Sequence, residues 1–189
     1  MRDFEIRKIL RNTLLKNYYD DISSKVVEEM DLPITKARID LAVINGHMHG
    51  YEIKSAQDTL KRIPSQLEGY SKVFDFLSIV TEKRYQEKLL EITPEWVGIY
   101  TCEENGNVSQ IRKGTKNKGQ QSFYIAKLLW KDELHQLLSQ HKIKFRKSDR
   151  NWLLCEALSK HLTLDELSSS VRDLLKERIN WKNIAKPSL

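Results

Sequence analysis

Cysteine is scarce in this 189-residue chain, and the two present, Cys102 and Cys155, lie far apart in no metal-like spacing. That excludes a disulfide framework and a cysteine-based zinc module, and it fits reduced thiols in a cytoplasmic protein. No run of about 18 apolar residues occurs, so no transmembrane helix and no membrane partner is expected. The opening Met1-Arg2-Asp3-Phe4-Glu5 has no apolar core of a signal peptide. A glycine-rich phosphate loop and internal repeats are missing too, which removes the common nucleotide-binding and solenoid readings. What remains is one domain, or a domain with a small appendage, long enough to bury a real core.

Charge is more informative. Lys and Arg number 32 against 26 acids, giving +6 and a pI near 9.2. A mild basic excess is compatible with a polyanionic partner, although many proteins share it. Its distribution is uneven. Arg112, Lys113, Lys116 and Lys118 lie in a polar stretch without an acid, and Lys142, Lys144, Arg146, Lys147 and Arg150 face only Asp149. Either cluster can track a phosphate backbone, or simply be a solvated loop.

The densest chemistry lies between Arg38 and Ser55. Two apolar, alternating runs flank Asn45-Gly46, which reads as a β-hairpin. Acids stand inside both strands, Asp40 on the first and Glu52 on the second, and Lys54 follows Glu52 on the same face of its strand. Two carboxylates and the Ile53 carbonyl can ligate Mg²⁺ or Mn²⁺, which keeps several waters. A metal-bound water is a nucleophile for phosphorus, and Lys54 can orient it or stabilise phosphoryl charge. The hairpin geometry is critical. A two-residue turn places Asp40 opposite Tyr51 and sends the acids to opposite faces, whereas a three-residue loop, Asn45-Gly46-His47, sets Asp40 opposite Glu52. The odd loop, or a bulge, is expected. A solvated strand face is the plain alternative for Glu52 and Lys54, and a surface pair with Arg38 is the alternative for Asp40. His47 and His49 lack a third ligand for zinc and read as polar hairpin residues.

The series Asp40, then Glu52-Ile53-Lys54, resembles the PD-(D/E)XK nuclease signature. Gln66 and Tyr70 match the Q-x-x-x-Y element of its RecB-like branch, and at i and i+4 they share one helix face. The stretch 37–80 and the later Pro94-Glu95-Trp96-Val97-Gly98-Ile99 also resemble small, uncharacterised bacterial proteins of that superfamily. The resemblance implies a Mg/Mn-dependent deoxyribonuclease. Its catalytic residues are Asp40, Glu52, Lys54, Gln66 and Tyr70, its metal ligands Asp40, Glu52, Ile53 and an acid of the first helix. Glu5 is the better match for that acid and Asp3 the lesser. Asp58, Lys61 and Arg62, beyond the second strand, are expected to touch the nucleic acid with Arg112, Lys113, Lys116 and Lys118. A catalytically silent nucleic-acid-binding or adaptor module is the alternative. The partner expected is DNA before RNA, and a homodimer or larger complex is compatible.

The architecture expected is α/β. A helix over 3–17 precedes strands at 23–30, 37–44 and 49–55. A helix then opens at Pro64 and runs to Phe74, followed by a strand at 76–81, a helix at 82–92 and a strand at 96–102. An edge strand at 108–112 completes a mixed, restriction-endonuclease-like sheet flanked by helices. Residues 1–120 form this core and 121–189 a helical extension available for nucleic-acid contact. In that extension Thr163-Leu164-Asp165-Glu166 reads as a capping box. Its helix, basic loop, helix layout is similar to SAP-type DNA-binding modules.

Overall fold

A computed structural model describes residues 1–34, 37–179 and 181. Its centre is the hairpin of β2 (Ala37–Ile44) and β3 (Met48–Lys54). Ile44 pairs with Met48 and Leu41 with Tyr51, so the connection is the three-residue loop Asn45-Gly46-His47. Asn45 closes that loop twice. Its N–H donates to the His47 carbonyl (3.0 Å), and its side-chain oxygen accepts from the His47 N–H (3.0 Å).

Around the hairpin the sheet grows to six strands in the order β1-β2-β3-β4-β5-β6, with β1 (Lys25–Leu32), β4 (Phe76–Thr81), β5 (Gly98–Cys102) and β6 (Val108–Arg112). β1, β2 and β3 are antiparallel, β3 to β5 parallel, and β6 returns antiparallel. The parallel pairs need crossovers, supplied by helices α3 (Ile63–Ser71) and α4 (Gln86–Ile92). α3 carries a proline in its first turn, where the missing N–H leaves no bond unmade. In β1, Glu29 takes φ 53°, yet the register runs unbroken past it, from Glu28 opposite Leu41 to Met30 opposite Ile39.

Side chains alternate across the sheet as the strand period requires. Leu41, Val43, Tyr51, Ile53 and Val80 join Ile6 and Leu10 of α1 (Asp3–Asn12) on one face. Ala42, Ile44, Met48, Leu77 and Ile79 join the other face, beneath α3 and the C-terminal helices α5 (Ser122–Ala126), α6 (Lys131–Gln140), α7 (Asn151–His161) and α8 (Leu164–Glu177). Leu134, Leu158 and Val171 of these helices are fully buried in that same apolar cluster. Gly50 permits the close fit of β3 against the α3–β4 connection: a Cβ there would stand 3.0 Å from Leu77 and 3.2 Å from Phe74.

Boundaries differ from expectation in informative places. The helix expected over 3–17 stops at Thr13, whose hydroxyl donates back to the Ile9 carbonyl (2.7 Å), and a short helix α2 (Lys16–Asp20) follows. That back-bond competes with helix continuation. α3 ends at Ser71 rather than Phe74, because Asn117 Nδ2 donates to the Phe74 carbonyl (2.9 Å) and to that of Ser71. The capping box of α8 is present, with Glu166 N–H donating to Thr163 Oγ1 (3.3 Å) and Thr163 N–H to Glu166 Oε2 (2.9 Å). Among the described residues no helix is long and apolar enough to cross a membrane.

Candidate functional site

The three-residue hairpin loop decides the site, since it puts Asp40 and Glu52 on one face of the sheet, toward α3. The ladder opens beyond Leu41 and Tyr51. There Asp40 Oδ2 accepts from the Ile53 N–H at 2.7 Å, in place of a backbone carbonyl. Both carboxylates line a cleft of about 750 Å³ bounded by β1–β3, α3 and the first turns of α1.

Glu52 is held from three directions. Its Oε1 accepts from Lys54 Nζ (2.7 Å) and Gln66 Nε2 (2.6 Å), and its Oε2 from the Tyr70 hydroxyl (2.8 Å). Gln66 closes the ring by accepting from Lys54 Nζ at 3.1 Å. The Lys54 and Glu52 side chains are only 3% and 4% exposed, so this pair survives in low dielectric because every partner is supplied. Among the described residues, two of the three lysine N–H groups are thereby engaged. Burial, followed by the Glu52 charge, raises the Tyr70 hydroxyl far above its ordinary range and keeps it a donor.

Asp40 is different. Burial first, and the Glu52 charge second, push its carboxyl up to about 7, against the lowering effect of the Ile53 N–H. Among the described residues its Oδ1 makes no hydrogen bond, although Arg7 Nη2 stands 3.6 Å away. The site therefore holds more negative charge than its fixed cations neutralise. Seven acids and four Lys or Arg residues line the cleft.

Arg7 was not legible as a site residue. It donates to the Asp40 carbonyl (2.9 Å) and to Asp3 Oδ1 (3.0 Å), tying α1 to β2. The one available signal is the Asp3–Arg7 spacing of i, i+4 on a helix. Glu5, expected as a further metal ligand, is instead exposed. Its Oε2 accepts from the Arg2 N–H (2.6 Å) as part of the cap of α1, and Asp3 lines the cleft in its place. An acid in the first turn serves the helix terminus unless tertiary packing turns it inward.

The expected nucleic-acid contacts divide. Asp58 and Arg62 line the cleft, and Asp58 Oδ2 fixes the chain after β3 by accepting from the Ser55 N–H (2.9 Å) and hydroxyl (2.6 Å). Lys61 is exposed and outside the cleft lining. Arg112 is a structural residue. Its Nε donates to the Val97 carbonyl (2.8 Å) and its Nη2 to the Pro94 carbonyl (3.0 Å) and the Thr93 hydroxyl. It stands on edge strand β6, three strands away from β3, with exposed Lys113, Lys116 and Lys118 on the chain that follows. Of the two histidines, His47 is exposed. His49 is packed on Tyr51 (centroids 4.2 Å apart) and shares a hydrogen bond with the Ser78 hydroxyl (2.9 Å).

Fold and site thus define an α/β protein with a buried carboxylate–lysine ring opening on an acidic cleft. Residues 1–185 match the model of the family described as Bacteriophage P4 protein cII, and the chain belongs to that family. Protein cII of Enterobacteria phage P4 is 29% identical over 156 residues, which cover 81% of this chain and 59% of that protein. The chain thus accounts for under two thirds of that relative's length. A solved structure of the SPO1766 protein of unknown function from Silicibacter pomeroyi overlaps 55% of this chain and 66% of its own, at 18% identity and a TM-score of 0.41.

Family membership corrects the reading drawn from the Asp40…Glu52-Ile53-Lys54 and Gln66…Tyr70 patterns. The chain is a member of the protein cII family over nearly its full length, not of the nuclease superfamily those motifs resemble. Membership of the protein cII family does not indicate the deoxyribonuclease activity that this resemblance implied. A handful of residue types at generic spacing does not define a family.

Proposed function

We propose that the protein binds nucleic acid at the cleft through the phosphate backbone, with a divalent cation held by Asp40 and Glu52 joining protein and phosphate. The observation that carries this reading is the pairing of two largely buried carboxylates on neighbouring strands beside Lys54, with Asp40 Oδ1 accepting no hydrogen bond among the described residues. Among the described residues no group of three or more His, Cys, Asp or Glu side chains converges, which does not suit zinc. One or two carboxylates, completed by water and a phosphate oxygen, are what Mg²⁺ or Mn²⁺ ordinarily takes. Glu52 keeps one acceptor position beyond its three donors, so it can serve without breaking the ring.

A bound cation supplies the positive charge that lets a phosphate approach two carboxylates. The protein's own groups do the remainder. Lys54, Arg38 and Arg62 on the cleft lining are the donors for phosphate oxygens. Fluorescence anisotropy of a labelled oligonucleotide tests the reading, with wild type and Asp40→Asn measured in magnesium and in EDTA. Magnesium is expected to tighten wild-type binding about tenfold, equivalent to about 1.4 kcal/mol, and to leave the variant unchanged. Equal wild-type affinity in the two buffers would refute the proposal.

A further inference from the structure

We infer that the α6–α7 loop and the first turn of α7 form a second surface, which binds single-stranded nucleic acid by stacking a base on Trp152. This inference rests on nucleic acid being the partner, as above, but not on the cleft or its cation.

The loop is built to present charge. Ile143 is buried and Phe145 is half-buried against His135 (ring centroids 4.9 Å apart), while Lys142, Lys144 and Arg146 alternate with them and are exposed. Lys142 stands in the turn after α6 at φ 55°, and beyond it the inward Ile143 and Phe145 send Lys144 and Arg146 to solvent. Lys147 and Arg150 continue the exposed run. Among the described residues none of these five side chains is engaged in an ion pair. The one acid of the stretch, Asp149, is occupied, since its Oδ2 accepts from the Arg146 N–H at 2.8 Å. Five cations against this one acid leave the stretch with an excess of positive charge for phosphates.

Trp152 stands two residues beyond Arg150 with 52% of its surface exposed, an unusual position for the largest aromatic side chain. Unpaired cations beside a free indole are the elements of a single-strand site, in which phosphates follow the basic groove and bases stack on the ring. A duplex hides its base faces and cannot use the indole. An anionic membrane fits less well. Leu154, Cys155 and Leu158 of α7 are buried in the core, which leaves only Trp152 and Leu153 as apolar surface for insertion.

The test uses the full chain in EDTA, which silences the cleft. Labelled oligothymidylate and an abasic strand of equal length are titrated with wild type, Trp152→Ala, and the triple variant Lys144→Gln/Arg146→Gln/Lys147→Gln. All the replaced side chains are exposed, and unchanged thermal unfolding verifies the fold. Trp152→Ala is expected to weaken oligothymidylate binding about five- to a hundredfold and to bind the abasic strand as wild type does. The triple variant is expected to lower the slope of log affinity against log salt by about 2. Equal affinity of wild type and Trp152→Ala for oligothymidylate would overturn the inference. So would failure to bind it while phosphatidylserine vesicles are bound through Trp152. The cleft is read separately, by Asp40→Asn in magnesium, so loss of one reading leaves the other visible.

Discussion

Removing the charge of Glu52 while Lys54 stays in place is expected to destabilise the protein by about 3–5 kcal/mol, the usual consequence of leaving a buried ion without its partner. The structure gives the reasons. The two side chains are 4% and 3% exposed and joined at 2.7 Å, and Glu52 also receives Gln66 and Tyr70. In Glu52→Gln the Lys54 charge loses its partner, and an amide nitrogen replaces one of the two oxygens that accept from Lys54, Gln66 and Tyr70. Lys54→Met leaves the opposite problem, a buried carboxylate held by neutral donors alone. Each single change is therefore severe, yet the double variant removes both charges and one of the conflicts. Its loss is expected to fall short of the sum of the two by about 2 kcal/mol or more, the range of strongly coupled neighbours. Urea denaturation of the four proteins, followed by circular dichroism, measures this directly. Additivity within about 0.5 kcal/mol would refute the description of Glu52, Lys54, Gln66 and Tyr70 as one network.

Two further outcomes follow from individual residues. Burial lowers His49 to about 4, so the fold favours the neutral imidazole. Its contribution is complete above the ordinary histidine value of 6.5 and is lost as pH falls from there toward 4, about 3 kcal/mol at the limit. Asp40 acts in the opposite sense, since its raised value favours the protonated form and its contribution declines as pH rises from 3.8 toward 7. The difference in unfolding free energy between wild type and His49→Gln isolates the histidine, and a difference that does not vary between pH 7 and pH 4 would contradict its buried neutral state. Arg112→Met is expected to cost about 1–3 kcal/mol in urea denaturation, through bonds lost to the 93–97 segment, with oligonucleotide affinity unchanged. Weakened binding at unaltered stability would instead make Arg112 a phosphate contact.

Much of the sheet was legible because strand geometry leaves few choices. Two acids in facing strands meet only if the loop between them is odd, and Asn45-Gly46-His47 is that loop. Pro64 and Thr163 announced helix starts through local chemistry alone, one by a fixed φ and a missing donor, the other by a cap. Roles set by tertiary packing were not legible. Asp3 and Glu5 are both first-turn acids, and only the placement of α1 beside β2 sends Asp3 to the cleft and leaves Glu5 on its own cap. Arg112 reads as part of a basic run, but the carbonyls that claim it come from the connection between α4 and β5. His49 reads as a hairpin polar residue because nothing local reveals the Tyr51 and Ser78 contacts that enclose it. The family was the least legible of all. The short acid-and-lysine pattern is consistent with the observed ring, whereas the relationship to protein cII is carried by 1–185 as a whole.

The most direct test of the central claim is an anomalous-scattering measurement at the manganese edge on crystals grown with manganese, for wild type and Asp40→Asn. A peak between the Asp40 and Glu52 carboxylates is expected in the wild type and none in the variant. A wild-type map without density there, at manganese concentrations that tighten oligonucleotide binding, would contradict it.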